Sequence, residues 1–120
     1  MKKILLIEDE PDISELIKAL LEIYHYRVVI AMDGEAGLAK FIIEHPDLII
    51  LDVMLPKLNG YEVCRKIKIE HDSRTPILML TAQTTDTDRI VGRVKGADFY
   101  MTKPFGAHEL LTNINSLLRA

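Results

Sequence analysis

Short apolar runs alternate with amphipathic helical stripes along all 120 residues, and that alternation leaves few folds open. ILLI (4–7), VVIA (28–31), LIIL (48–51) and ILML (77–80) read as strands. The first, third and fourth are continuous enough to be covered on both faces, as parallel strands are.

Between the strands the period changes to that of a helix. Pro11 suits a first helical position, and Ile13, Leu16, Ile17, Leu20 and Leu21 follow the stripe of a helix packed on a sheet. Asp33-Gly34 opens a second helix carrying Ala36, Leu38, Ala39, Phe41 and Ile42 before Pro46 breaks it. Asn59-Gly60 turns the chain into a third through Val63 and Ile67. Asp86 caps a fourth through Ile90, Val91 and Val94, ending near Gly96, where the absence of a Cβ is useful. A fifth strand at about Phe99 to Thr102 leads to a last helix through Leu110, Leu111, Ile114, Leu117 and Leu118.

Strands each followed by a helix imply right-handed crossovers. The predicted fold is α/β: a doubly wound, five-stranded parallel sheet with five helices on two faces. The flavodoxin-like order 2-1-3-4-5 suits five strands better than the Rossmann order, and makes strands 2 and 5 the edges. Both are less uniformly apolar, with Arg27 opening one and Asp98, Tyr100 and Thr102 punctuating the other. A single domain over residues 1–120 is expected, with no linker or repeat.

No apolar run approaches the roughly 18 to 20 residues of a membrane span. The start, MKKILLIEDE, turns acidic where a signal peptide needs a longer apolar stretch, and Cys64 is a lone cysteine. Both fit a cytoplasmic protein, with Cys64 as a small buried hydrophobe. A net charge of −3 and scattered Lys and Arg argue against direct nucleic-acid binding.

In open α/β sheets ligands bind beyond the carboxyl ends of the strands. After strand 1 stand Glu8, Asp9 and Glu10; after strand 3, Asp52; after strand 4, Thr81; after strand 5, Lys103. Singly each has an ordinary reading: Asp9 as a helix cap, Asp52 as a turn residue, Thr81 as a local backbone partner, Lys103 as a solvated amine. Jointly they put complementary chemistry at one topological position in four of the five units. Glu8, Asp9 and Asp52 would repel unless a cation intervenes. A hard, oxygen-preferring ion such as Mg²⁺ suits them, and Lys103 adds a mobile positive charge. Thr81 contributes a hydroxyl, and the small Ala82 leaves room beside it.

A carboxylate, a divalent-ion site and an ammonium group are the parts of phosphoryl transfer. A phosphate-cradling glycine loop is missing, and none of the four histidines follows a strand. The pocket therefore reads as a receiver of a phosphoryl group carried elsewhere.

In the motifs ILLIEDEP, LIILDVMLPKLNGYE, ILMLTA and GADFYMTKPF, the chain resembles the response-regulator receiver domains of two-component signalling over essentially its whole length. The resemblance implies that Asp52 is the phosphoacceptor, served by a sensor histidine kinase or histidine phosphotransfer protein. It implies that Asp9, Asp52 and the Met54 backbone carbonyl hold Mg²⁺, with Glu8 acting through water. It further implies that Thr81 and Lys103 bind phosphoryl oxygens, that Tyr100 is an aromatic switch, and that the Lys103–Pro104 bond is cis. Output would pass to a downstream domain or protein through the face made by the fourth helix, fifth strand and fifth helix. Such a domain promotes its own phosphorylation and dephosphorylation, but its product is a changed surface, so it is not an enzyme in the ordinary sense.

Two positions depart from many receivers of winged-helix transcription factors. Phe99 stands where those have an acid and Asn113 where they have an arginine, charges that join a dimer interface. The chain is therefore expected not to form that salt-bridged dimer, with Phe99 free to meet another partner. A haloacid-dehalogenase-like phosphatase is disfavoured because Met54 replaces the second acid two residues after the nucleophile. A flavin or nucleotide binder is disfavoured by the acidic EDEP turn, where phosphate wants free amides. A receiver fold kept only for protein binding would not need the full acid, Thr and Lys set.

Overall fold

The structure, a computed structural model, describes residues 1–81 and 96–119. Five parallel strands, β1 (Lys3–Ile7), β2 (Arg27–Ala31), β3 (Leu48–Asp52), β4 (Ile77–Thr81) and β5 (Phe99–Thr102), lie in the order β2-β1-β3-β4-β5. The described helices are α1 (Pro11–Ile23), α2 (Gly34–Glu44), α3 (Gly60–Arg65) and α4 (Ala107–Arg119). The fourth predicted helix, with Asp86, Ile90, Val91 and Val94, lies outside the described residues, as does Ala82. None of the described helices is long and apolar enough to cross a membrane.

Strand alternation divides the core into two. Ile4, Leu6, Leu48, Ile50, Leu78, Leu80 and Met101 face α1 and α4, where Ile17, Leu21, Leu110 and Ile114 meet them. Leu5, Ile7, Ile49, Leu51, Ile77 and Met79 face α2 and α3, meeting Val63, Cys64 and Ile67. Each such aliphatic side chain contributes roughly 1.5–3 kcal/mol when fully buried, so the central strands are the rigid base on which the loops stand. The expected edges are the less buried strands, with Arg27 and Phe99 exposed.

Two predicted stripes are narrower than their letters. In α1 only Ile17 and Leu21 of the five apolar positions are buried, and Leu16 is 71% exposed. In α2, Ala39 and Ile42 face outward, and the closest approach is made by Gly37, where a Cβ would fall 2.5 Å from Ile7. A glycine lets that helix sit too close to the sheet for a full stripe to be needed. The third helix also departs from the regular pattern: beyond Arg65 it widens into a π-helical turn, Lys66–Glu70, closed by the His71 amide on the Lys66 carbonyl at 2.9 Å.

Helix starts follow their expected chemistry at α2 and α3. Asp33 accepts from the Ala36 amide at 2.7 Å, and Asn59 from the Glu62 amide at 3.0 Å. At α1 the cap position is Glu10 with no side-chain cap bond, so capping does not account for Asp9. Gly96 has φ +101°, a conformation that favours glycine.

Candidate functional site

The carboxyl ends of β1, β3 and β5 bring three of the expected acids and the lysine together. Strand alternation gives Glu8, Asp52 and Lys103 the parity of the α1/α4 face, and Lys103 spans the width of β4 to reach the other two. Its Nζ lies 3.0 Å from Glu8 Oε1 and 3.1 Å from Asp52 Oδ2. Glu8, Asp9 and Asp52 each offer a carboxylate oxygen, all within 4.8 Å of one another.

Backbone bonds fix each contributor. The Glu8 amide donates to the Ala31 carbonyl at 3.0 Å, and the Glu10 amide returns to Glu8 Oε2 at 3.2 Å. The Lys103 amide donates to the Thr81 carbonyl at 2.7 Å, tying the lysine to the tip of β4, and the following Lys103–Pro104 bond is cis as expected. Asp52 Oδ1 accepts from the Met54 amide at 3.1 Å. Asp52 thus does serve the turn, while its second oxygen faces Lys103.

Burial sets the electrostatics. Glu8 is fully buried and Asp52 is 4% exposed. Loss of solvent around Glu8, reinforced by the Asp52 charge and opposed by Lys103, lifts its pKa from about 4.5 to about 7. Burial alone would lower the Lys103 pKa, but its bond to Glu8 and the charge of Asp52 outweigh that and hold it above its ordinary value. The lysine therefore stays cationic among two acids in a site of reduced dielectric.

A cavity of about 590 Å³ opens over this group, lined among others by Asp9, Glu10, Asp52, Met54, Asn59 and Lys103. Glu8 lies beneath it rather than in its wall. Three hard carboxylate donors with the Met54 backbone beside them match an oxygen-seeking divalent ion in chemistry and spacing. The Met54 side chain is 68% exposed at the rim of this cavity.

Thr81 is 1% exposed at the end of β4, paired in register with Thr102, and is not among the cavity-lining residues. Its parity is that of Met79 and Tyr100, on the α2/α3 side. Tyr100 is half-buried there, and its hydroxyl lies 2.6 Å from that of Tyr61. Sequence reasoning passed over Tyr61. Its place after Asn59-Gly60 indicated a first helical turn, but no local pattern pairs it with a residue 39 positions away. Glu10 was noticed only as part of an acidic turn; it lines the cavity.

A second, apolar groove of about 580 Å³ adjoins the first, sharing Ile13 and Lys103 and continuing over Leu16, Leu20, Pro104 and Phe105. The exposed Leu16 belongs to this groove, which explains why the stripe of α1 extends beyond what the core uses.

Comparison with known proteins points the same way. A family model described as the response regulator receiver domain matches residues 4–115. The chain is 49% identical over 118 residues to a probable transcriptional regulator, ycf27, of Cyanophora paradoxa, covering 98% of this chain and 48% of the relative. It is 48% identical to the alkaline phosphatase synthesis transcriptional regulatory protein PhoP of Bacillus subtilis, covering 98% of this chain and 49% of that one. The chain thus spans about half the length of the curated relatives it matches. Among solved structures, the Francisella response regulator 1452 receiver domain superposes with a TM-score of 0.94 at 30% identity, covering 99% and 98% of the two chains. The BeF3-activated N-terminal receiver domain of Klebsiella pneumoniae RstA gives 0.91 at 32%, covering 98% of this chain and 99% of that one. Strand order, the acid cluster and a match over nearly the whole sequence agree: the chain belongs to the response-regulator receiver domain family.

Proposed function

We propose that this chain is a single receiver domain over residues 1–120, accepting a phosphoryl group on Asp52 and transmitting the event as a shift of surface. The carrying observation is the geometry of Lys103, whose ammonium lies within 3.1 Å of Asp52 and 3.0 Å of Glu8 beside a cluster of three acids.

Mg²⁺ would be held by Asp9, Asp52 and the Met54 carbonyl, with Glu8 acting through water. When bound it supplies a compact positive charge that favours transfer of an anionic group. Asp52 is the nucleophile: one carboxylate oxygen forms a bond to phosphorus as the bond to the donor's imidazole nitrogen breaks, and the electron pair leaves with that nitrogen. Lys103 stays protonated and takes charge developing on the phosphoryl oxygens; the Thr81 hydroxyl takes another. The buried acids orient the ammonium without neutralising it.

The donor is a phosphohistidine on a sensor kinase or phosphotransfer protein. The apolar groove running from Leu16 and Phe105 to Lys103 supports a protein donor rather than a small phosphate ester, because it offers area beside the chemistry. Output follows from where Thr81 and Tyr100 stand on one side of the sheet. Drawing the threonine towards the phosphoryl group changes the space available to the aromatic, which shifts populations at the face of the fourth predicted helix, β5 and α4. The product is a changed surface, passed to an output domain or protein.

Incubation with acetyl phosphate and Mg²⁺, followed by intact mass, tests the central step. The wild-type chain gains one phosphoryl group and Asp52→Asn gains none. Equal uptake by the two would contradict the assignment.

A further inference from the structure

Tyr61 and Tyr100 connect the tip of β3 to the edge strand of the sheet. Tyr100 packs half-buried on the α2/α3 side, and the two hydroxyls stand 2.6 Å apart, a distance that requires one phenol to donate and the other to accept. Tyr61 cannot slide freely. Asn59 caps its helix, the Gly60 amide donates to the Val53 carbonyl at 2.9 Å, and a Cβ at Gly60 would fall 2.3 Å from the Asp52 carbonyl oxygen. The first turn of α3 rests on the backbone that carries Asp52. A displacement of that backbone therefore reaches Tyr61, and through its hydroxyl reaches Tyr100.

We propose that Tyr61 is a positioning residue for Tyr100, holding the β5 aromatic in its half-buried rotamer through the hydroxyl contact and coupling that rotamer to the Asp52 backbone. The consequence for signalling rests on the reading of Asp52 as phosphoacceptor; the contact itself does not. Before any phosphoryl transfer, Tyr61 biases the aromatic towards one rotamer, so the later shift starts from a defined state rather than a spread of rotamers.

The test uses the full chain with Tyr61→Phe, Tyr100→Phe and the double variant. Side-chain NMR of Tyr100 gives its rotamer populations and its contacts to residue 61. In Tyr61→Phe the ratio of the observed rotamer to the others falls about threefold to tenfold, the span expected for one net hydrogen bond. The folding equilibrium constant falls in each single variant, and in the double by less than the product of the two single factors, a coupling that two merely space-filling rings would not give. Unchanged Tyr100 populations in Tyr61→Phe, or additive losses in the double variant, overturn the proposal. Intact mass after acetyl phosphate treatment is read separately. Tyr61 does not line the acidic cavity, so Tyr61→Phe still takes up a phosphoryl group. If the wild type takes up none, the phosphoacceptor reading fails while the rotamer measurement decides the tyrosine contact either way.

Discussion

Glu8 is a carboxyl group fully buried at the end of β1, and its raised pKa has a definite sign in folding. The folded chain binds the Glu8 proton more tightly than the unfolded chain does, so its stabilising contribution is complete below about pH 4.5 and is lost as pH rises through about 7. Without divalent cations, unfolding free energy should fall across that window by about 1–2 kcal/mol, allowing for screening by water at the cavity. Denaturant titrations at several pH values in the presence of a chelator check this. Glu8→Gln should flatten the slope, and a slope unchanged in that variant would show that Glu8 is not its source. Lys103 has the same sign at higher pH: its pairing stabilises the fold through the neutral range and fades only in alkali. Lys103→Met, which leaves Glu8 and Asp52 without their ammonium, should cost about 1–3 kcal/mol in the same chelator-treated protein and be partly offset by Mg²⁺. A loss that Mg²⁺ does not reduce would argue against cation binding by these acids. Little of this was legible in the letters. Glu8, Asp52 and Lys103 announce themselves by standing after apolar runs, but which acid lies beneath the cavity and which lines it depends on strand register and depth.

At the scale of elements, glycines decide how near the loops come to the site. Gly60 lies against the Asp52 carbonyl and Gly34 against that of Leu58, where added Cβ atoms would fall 2.3 and 2.2 Å from backbone oxygen. Gly60→Ala should destabilise by roughly 1–3 kcal/mol and shift the Asp52 and Val53 amide resonances, because the backbone there must move. Stability and spectra like the wild type would mean that the loop has slack the structure does not display. Helix and strand existence was readable because apolar periodicity is a local signal. The five strand assignments fall on the observed strands, and Asp33 and Asn59 start helices as expected. What periodicity could not convey was the partner of each stripe. Leu16 keeps the period of α1 but faces a groove, Ile42 keeps the period of α2 but faces outward, and Gly37 carries the contact instead. The π-helical turn after α3 had no local cue, since Lys66–Glu70 reads as ordinary helix.

For the whole molecule, the doubly wound order follows from strands alternating with helices, and it is this order that sets separate strand ends side by side. Under the proposed function the same sheet would also carry the output surface, at β5 and α4. Phe99 is 42% exposed on β5, and Asn113 stands on α4, so this face lacks the acid and arginine noted above as joining a salt-bridged dimer. The beryllofluoride-activated chain is predicted to sediment as a monomer, or to associate without the salt sensitivity of ion pairs. A tight, salt-sensitive dimer through this face would refute that. The proposed transfer requires Asp52 to supply the oxygen of the new bond to phosphorus. Borohydride reduction of the acetyl-phosphate-treated protein converts an aspartyl phosphate to homoserine, and peptide sequencing finds where. The predicted result is homoserine at position 52, formed only when Mg²⁺ is present; homoserine at Asp9 or another acid, or none anywhere, would contradict it.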